Sequence, residues 1–307
     1  MNSKKRFGRI GVLAGGPSNE RDISLRSGKA VHNAFLNEGL DAVLIDIKDD
    51  IRAFLDNNVI DVAFIALHGR FGEDGTIQKM LEDAHIPYTG SKVKASALAL
   101  DKIASKEIFV KNNIPIPKYI VFEKGGFSVN EAQNVGYPLV VKPQFEGSSI
   151  GLSIVREKGS LDNALSAAFR YGDKIILEEY IEGRELTVGI LDDKPLPVIE
   201  IVTRNNIYDY EAKYKDADTR YLVPAPIDKD SYDKASSLGI MAHNALGCDS
   251  FSRVDMIMDR SGKIFVLEVN SIPGMTERSL LPKAALAMGL RFNELCVKIL
   301  ENTLKHR

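Results

Sequence analysis

Arg253-Val254-Asp255-Met256-Ile257-Met258-Asp259-Arg260-Ser261-Gly262-Lys263-Ile264-Phe265-Val266-Leu267-Glu268-Val269-Asn270 reads as a β-hairpin: two arms, mostly alternating, flank the turn-forming stretch Asp259–Gly262. Pairing Met258 with Lys263 sets Arg253 opposite Glu268 and Asp255 opposite Val266. The strand period of two gathers Arg253, Asp255, Glu268 and Asn270 on one face. Val254, Met256, Met258, Phe265, Leu267 and Val269 form the other, a core face. Two neighbouring carboxylates repel, and each raises the other's pKa. A Mg²⁺ held between them and a nucleotide's phosphates relieves that conflict. The alternative left open by the hairpin alone is an Arg–Asp/Glu ion-pair network on a solvated face. A one-residue slip would break the constellation.

Outward from this hairpin, the chain alternates strand and helix signals. Arg9–Ala14, Ala42–Ile47 and Asp61–Leu67 read as strands, and Glu20–Leu36, Ile51–Asp56 and Thr76–Ala84 as helices. That alternation predicts a parallel sheet covered on both faces, with ligands at the carboxyl ends of its strands. Gly15-Gly16 and His68-Gly69 fall at two such ends. A helical run from Lys94 to Asn112 opens a second unit, with strands at Tyr119–Phe122, Leu139–Val141, Leu152–Val155 and Ile175–Glu178 and a helix at Leu161–Tyr171. A third unit adds strands Leu186–Leu191 and Val198–Val202 to the hairpin, with helices Lys229–Leu246 and Phe292–Leu304. The reading divides the chain into an N-terminal α/β unit (1–93), a small central α+β unit (94–183) and a C-terminal α+β unit (184–307).

Composition narrows the function. Across 307 residues, 40 Lys+Arg against 42 Asp+Glu leave a net charge of −2, which excludes a broad basic surface for nucleic acid. Cys248 and Cys296 make neither a disulfide framework nor a zinc motif. No apolar run reaches the roughly 18 residues of a membrane span. Ile10–Ala14, behind the basic Lys4–Arg6, is too short for a secretion signal and is cut by Gly15-Gly16-Pro17, so a cytosolic location is expected. The dinucleotide fingerprint and the P-loop are both absent, which demotes a dehydrogenase and a P-loop ATPase.

Other segments carry chemistry. Glu146-Gly147-Ser148-Ser149-Ile150-Gly151 joins two strands just past Lys142. Its glycines allow close approach to a phosphate, and its serines add donors. A tight hairpin turn beside a snorkelling lysine fits the same residues. Tyr208–Tyr221 holds four tyrosines among charges without a clean period, as a lid loop or a surface excursion would. His68 at a strand end and Glu20 in a first helical turn are consistent with ligand contacts and equally with structural roles.

Taken in order, these segments resemble the D-alanine–D-alanine ligase family of the ATP-grasp superfamily. The matching pieces are Gly15-Gly16-x-Ser18-x-Glu20, Ile23-Ser24-Leu25-x-Ser27-Gly28 and His68-Gly69-x-x-Gly72-Glu73-Asp74-Gly75-Thr76-Ile77-Gln78. Asp101-Lys102, Val141-Lys142-Pro143, the Glu146–Gly151 loop, Glu178, Gly183-x-Glu185, Tyr208–Tyr214 and Thr219-x-Tyr221 follow. Arg253-Val254-Asp255 and Glu268-Val269-Asn270-Ser271-x-Pro273-Gly274-Met275-Thr276 close the series. Pro17, Lys79, Ser250 and Arg278 depart from the family's usual residues, and none of them removes a catalytic group.

The resemblance implies a three-domain α/β ATP-grasp architecture and ATP-driven ligation of two D-alanines through an acyl phosphate, in cell-wall precursor synthesis. It implies ATP and two Mg²⁺ (or Mn²⁺) as cofactors, and a homodimer. By the same resemblance Glu20, Ser148, Tyr214, Arg253 and Gly274 are catalytic; His68, Ser279 and Leu280 bind substrate. Lys102, Lys142, Ser149, Glu178, Ile181, Glu185 and Lys213 would hold ATP, and Asp255, Glu268 and Asn270 the metal. Tyr214 in the lid points to D-alanine rather than D-lactate as acceptor. The competing readings are another ATP-grasp carboxylate–amine ligase and a nucleotide-binding protein without catalysis.

Overall fold

Strand Ile10–Gly15 (β1) is buried along its whole length, as its unbroken apolar run requires of the middle strand of a parallel sheet. In the computed structural model, which describes residues 7–48, 59–126, 132, 134–203 and 218–305, it lies between Ala42–Ile47 (β2) and Val62–Ile65 (β3), both parallel to it. The expected helix Ile51–Asp56 and the stretch that carries Lys213 and Tyr214 fall outside the described residues. Helix Arg21–Asn37 (α1) buries Ile23, Ser27, Val31, Ala34 and Phe35, a stripe recurring every three or four positions. Gly28 lies on that stripe, where a Cβ would come within 2.4 Å of the Ala14 Cβ, so only glycine lets the helix lie this close. Helix Thr76–Asp83 (α2) covers the other face with Ile77 and Leu81. Both faces of the sheet are thus covered, as its sequence pattern predicts.

The expected helical run from Lys94 to Asn112 is two helices, Val93–Leu100 (α3) and Lys102–Lys111 (α4). Asp101 separates them. Its backbone is extended, and its carboxylate accepts the N–H groups of Ile103 and Ala104 at 3.0 and 3.1 Å, capping α4. Tyr119–Glu123 (β4), Leu139–Pro143 (β5), Ser153–Val155 (β6) and Lys174–Glu179 (β7) then form an antiparallel sheet in the order β4-β7-β5-β6. Helix Leu161–Ala168 (α5) seals one side of it with Leu161, Ala164, Leu165 and Ala168.

The third sheet runs Arg220–Leu222 (β11), Ile199–Val202 (β10), Gly183–Leu191 (β8), Phe251–Asp259 (β12), Ile264–Asn270 (β13), with Lys194–Pro195 (β9) on β8. One face, including Leu186, Val188, Val254, Met256 and Val266, packs beneath helix Lys229–Ala245 (α6) and against Ala99 and Phe109 of α3 and α4. The two helices that open the central stretch therefore rest on the C-terminal sheet. Part of the opposite face, including Leu191, Ile199 and Phe251, shares one core with Val12 and Phe35 of the first unit. Helices Leu280–Ala287 (α7) and Phe292–Lys305 (α8) complete that core. The rest of this face carries Glu185, Thr187, Asp255 and Glu268, and there the site forms.

The hairpin register differs from the expected one. The Asp259 carboxylate accepts the N–H groups of Ser261 and Lys263 at 2.8 and 2.9 Å, which draws Lys263 into the turn. Met258 therefore pairs with Ile264, Ile257 with Phe265 and Met256 with Val266. A β-bulge then shifts the ladder, so that Asp255 faces Glu268, Val254 faces Val269 and Arg253 faces Asn270. Ile264, Val266 and Val269 take the core positions that sequence alternation assigned to Phe265, Leu267 and Val269. The bulge turns Leu267 to the cavity side and sets the two carboxylates directly across from each other. The constellation survives the register change because of that extra residue.

Candidate active site

Two cavities meet on the uncovered part of the third sheet. The larger, about 700 Å³, is lined by Glu20, His68, Ser148, Arg253, Asn270, Gly274, Ser279 and Leu280, among others. The smaller, about 170 Å³, is lined by Lys142, Ser149, Glu178, Ile181, Glu185 and Asp255, among others. Lys102, Gly147 and Glu268 border both. Every expected site residue within the described part of the chain lines at least one of the two; Lys213 and Tyr214 lie outside that part.

In the larger cavity a loop from the end of β13 supplies one wall. Ile272 plugs into the core beneath α2, and Met275, fully buried, into the core beneath α1. These two anchors hold Pro273-Gly274 over the cavity between them. The loop's backbone is also tied to the first unit. The Ile272 carbonyl faces His68 Nδ1 at 3.0 Å, so that nitrogen carries the proton and Nε2 accepts the Ser27 hydroxyl at 3.0 Å. Ser27 Oγ in turn accepts the Met275 N–H at 3.2 Å. Burial holds His68 below the usual histidine range, against the raising effect of Glu20 and the Ile272 carbonyl, which keeps this chain of bonds in its neutral form.

Glu73 supports the same wall from behind His68. It accepts the N–H groups of Gly69 at 2.7 Å and Ile272 at 3.3 Å. Burial, reinforced by the negative charge of Glu20, pushes its carboxyl up to about 8. Opposite it, Ser148 donates to Glu20 Oε1 across the cavity mouth. The β5–β6 loop reaches that far by turning through Ser148 and Ser149, both left-handed at φ 48° and 60°. Gly147 lies beside them, and a Cβ there would stand 2.6 Å from Glu20 Oε2 and push that carboxylate aside.

At the junction, Asp255 accepts two bonds from Arg253 at 2.8 and 2.6 Å, one from Thr187 at 2.6 Å and one from Asn270 Nδ2 at 3.0 Å. Lys102 Nζ donates to the Glu146 carbonyl at 2.6 Å and stands 3.5 Å from Glu268 Oε2. The donor set fits a divalent cation of the Mg²⁺ type. Two carboxylates and the remaining amide oxygen of Asn270 are hard ligands facing a cavity, and such ions take one or two carboxylates plus phosphate oxygens. No group of three or more His, Cys, Asp or Glu placed to cage a metal occurs among the described residues.

In the smaller cavity Glu178 is nearly fully buried and ion-paired with Lys142 at 2.7 Å and Lys106 at 2.9 Å, both on Oε2. Burial works to raise its pKa, but the two lysines outweigh burial and hold the carboxyl below the usual range. Val140, Ile154, Ile181, Ile257 and Leu267 give this cavity apolar walls. A charged end and apolar walls suit a flat heterocycle that carries hydrogen-bond donors.

Comparison with known proteins settles the lineage. The family model described as D-ala D-ala ligase C-terminus matches residues 108–301, and the one described as D-ala D-ala ligase N-terminus matches 54–91. The chain belongs to the D-alanine–D-alanine ligase family. It is 48% identical to the D-alanine–D-alanine ligase of Geotalea uraniireducens, over 95% of this chain and 94% of that protein. The fold is similar to the crystal structure of the Bacillus anthracis D-alanine–D-alanine ligase complexed with ATP. That match has a TM-score of 0.87 and 33% identity, and covers 97% of this chain and 98% of that one. The VanG D-Ala:D-Ser ligase of Enterococcus faecalis superposes with a TM-score of 0.81 at 30% identity, covering 97% and 100%. No described helix is long and apolar enough to cross a membrane.

Sequence reasoning missed four residues that hold this family's site together here: Ser27, Glu73, Lys106 and Thr187. Ser27 and Glu73 stand inside quoted motifs without a role. Thr187 shares the strand alternation of Glu185, so the period of two was its available signal. Lys106 sits one helical turn past Lys102, a spacing that puts both on one face of α4.

Proposed function

We propose that this chain ligates two D-alanines to D-alanyl-D-alanine, converting ATP to ADP and phosphate by way of a D-alanyl phosphate, for peptidoglycan precursors. Membership of the ligase family supports the reaction. The observation that carries the assignment of sites is the meeting of the two cavities at Lys102, Gly147 and Glu268, where a phosphoryl group would pass from one ligand to the other. The smaller cavity takes ATP: Glu178 accepts from the adenine amino group, Ile181 lies along the base and Glu185 meets the ribose. Lys102, Lys142, Ser149 and, from the lid, Lys213 meet phosphates. A carboxylate is a poor electrophile, so phosphorylation must precede amine attack, and positioning with charge neutralisation does most of the work.

The larger cavity takes the two D-alanines. Glu20 binds the ammonium of the first, with Ser148 and Tyr214 completing a hydrogen-bonded set. His68, Ser279 and Leu280 place the carboxylate of the second, helped by the N-terminal end of α7. Arg253 and the Gly274 N–H stabilise the oxyanion formed when the second amine attacks. Asp255, Glu268 and Asn270 would hold two Mg²⁺ or Mn²⁺, which supply charge neutralisation on the transferring phosphoryl. Loop closure over the nucleotide excludes water from the acyl phosphate. The division at 1–93, 94–183 and 184–307 rests on the pattern of strand and helix signals, and a homodimer and a cytosolic setting on the family resemblance.

The test is ADP release from Mg²⁺-ATP with D-alanine, D-serine, D-lactate plus D-alanine, and L-alanine, with mass spectrometry of the products. D-alanine-dependent release with D-alanyl-D-alanine as the main product is expected. Release that proceeds equally with L-alanine, or a mixed product made preferentially in competition, would overturn the acceptor assignment.

A further inference from the structure

Lys106 has no place in the reaction as described, yet its burial is complete. Its ammonium stands 2.9 Å from Glu178 Oε2, and Glu178 is its only ion-pair partner among the described residues. Lys142 stands 2.7 Å from the same oxygen. Two ammoniums therefore share one largely buried carboxylate, although Lys142 alone would balance its charge. A second buried cation is unfavourable unless something requires it. Burial pulls the Lys106 ammonium down to about 8, against the raising effect of Glu178 and with a further lowering by Lys142.

The two lysines are not equivalent. Lys142 and Glu178 line the smaller cavity; Lys106 lies behind them on α4, with the Tyr119 ring 5.4 Å from its Nζ. Of the two, only Lys142 borders the space that a ligand would occupy. If Lys142 turns to a phosphate, Glu178 loses that partner, and a buried carboxylate with no counter-ion would hold the lysine back or take up a proton.

We propose that Lys106 is the standing counter-ion of Glu178, a positioning residue that releases Lys142 to bind nucleotide phosphate while Glu178 stays ionised for the base. The proposal rests on the reading of the smaller cavity as the nucleotide site. Helix α4 is suited to holding such a group still. Asp101 caps it, Gln144 Nε2 donates to that same carboxylate at 2.9 Å, and the Gln144 carbonyl accepts the Lys102 N–H at 3.2 Å. Lys106 is thereby fixed against the strand that carries Lys142.

Lys106→Met separates this role from a structural one. It leaves a balanced Lys142–Glu178 pair, so the variant should unfold at the same denaturant concentration as the parent or a higher one. Lys142, now the sole counter-ion, stays on Glu178. The affinity for a non-hydrolysable imido analogue of ATP with Mg²⁺, measured by calorimetry, should fall about tenfold, or about 1.4 kcal/mol. Binding of adenosine, followed by ligand-observed NMR, should change by less than about twofold, since the base still meets an ionised Glu178. A structural role predicts the reverse: lower stability or failure to fold, with nucleotide affinity kept or with both ligands weakened alike. Either result would overturn the proposal. Lys142→Met is the control for the underlying reading. If it leaves the affinity for the ATP analogue unchanged, the cavity is not the phosphate site and both readings fail; if it weakens binding while Lys106→Met does not, only the counter-ion role fails.

Discussion

The walls of the two cavities hold ionisable groups in buried or half-buried settings and treat them in opposite ways. Around the larger cavity, His68 is driven below its usual range and Glu73 up to about 8, so both favour their neutral forms. Around the smaller one, Glu178 is held below its usual range and stays charged. Partners explain the difference. His68 and Glu73 meet backbone groups and a serine; Glu20 repels an ionised Glu73, and its attraction for a protonated His68 is smaller than the effect of burial, so neither ion's desolvation is repaid. Glu178 meets two ammoniums. A substrate with its own ammonium and carboxylate is best received by a neutral wall with a few placed charges. A polyphosphate calls for cations that are already ionised.

Several measurements would break or sharpen that contrast. The largest effect is expected at Glu178. Glu178→Gln strands two buried lysines and should cost about 3–5 kcal/mol in chemical denaturation; a loss below about 1 kcal/mol would mean that the lysines find water. Next comes the anchor of the neutral wall. Met275→Ala empties a fully buried site and should cost about 2–5 kcal/mol, with KM for D-alanine rising more than KM for ATP. A parallel rise in both constants would argue that the loop serves both cavities.

Ser27→Ala leaves the Met275 N–H and His68 Nε2 without their partner, for a loss of about 1–3 kcal/mol. Calorimetric unfolding would register it, and a neutral outcome would show that the network is dispensable.

A graded effect lies in the pH dependence. The folded chain keeps the Glu73 proton up to about 8, whereas an unfolded chain releases it near the ordinary carboxylate value of about 4.3. The contribution to stability is complete below the lower value, erodes as pH rises and is gone above the upper one. Glu73→Gln should flatten that part of the stability profile, and denaturation at a series of pH values would detect an unchanged slope.

Much of this architecture was legible in the chain. The apolar run of β1, the helical stripe of α1 and the spacing of the ordered motifs follow from local periodicity, which each segment carries by itself. Residues whose chemistry is unusual for their setting, such as Lys142 at the end of an apolar strand or the serines among the glycines of the Glu146–Gly151 loop, announced themselves for the same reason. The register of the hairpin did not. It depends on how far the Asp259 carboxylate extends the turn and on one bulged residue, and the alternation of side chains reads almost equally well with either pairing.

The sequence by itself determined the fold class, the layering of the sheets and the inventory of charged groups, because periodicity and residue chemistry are local properties. Only the tertiary structure decided which of those charges remain ions. Ionisation in a buried site depends on partners brought from distant segments, as Lys106 and Lys142 are to Glu178 and Ile272 is to His68 and Glu73. No property of a single segment encodes that meeting.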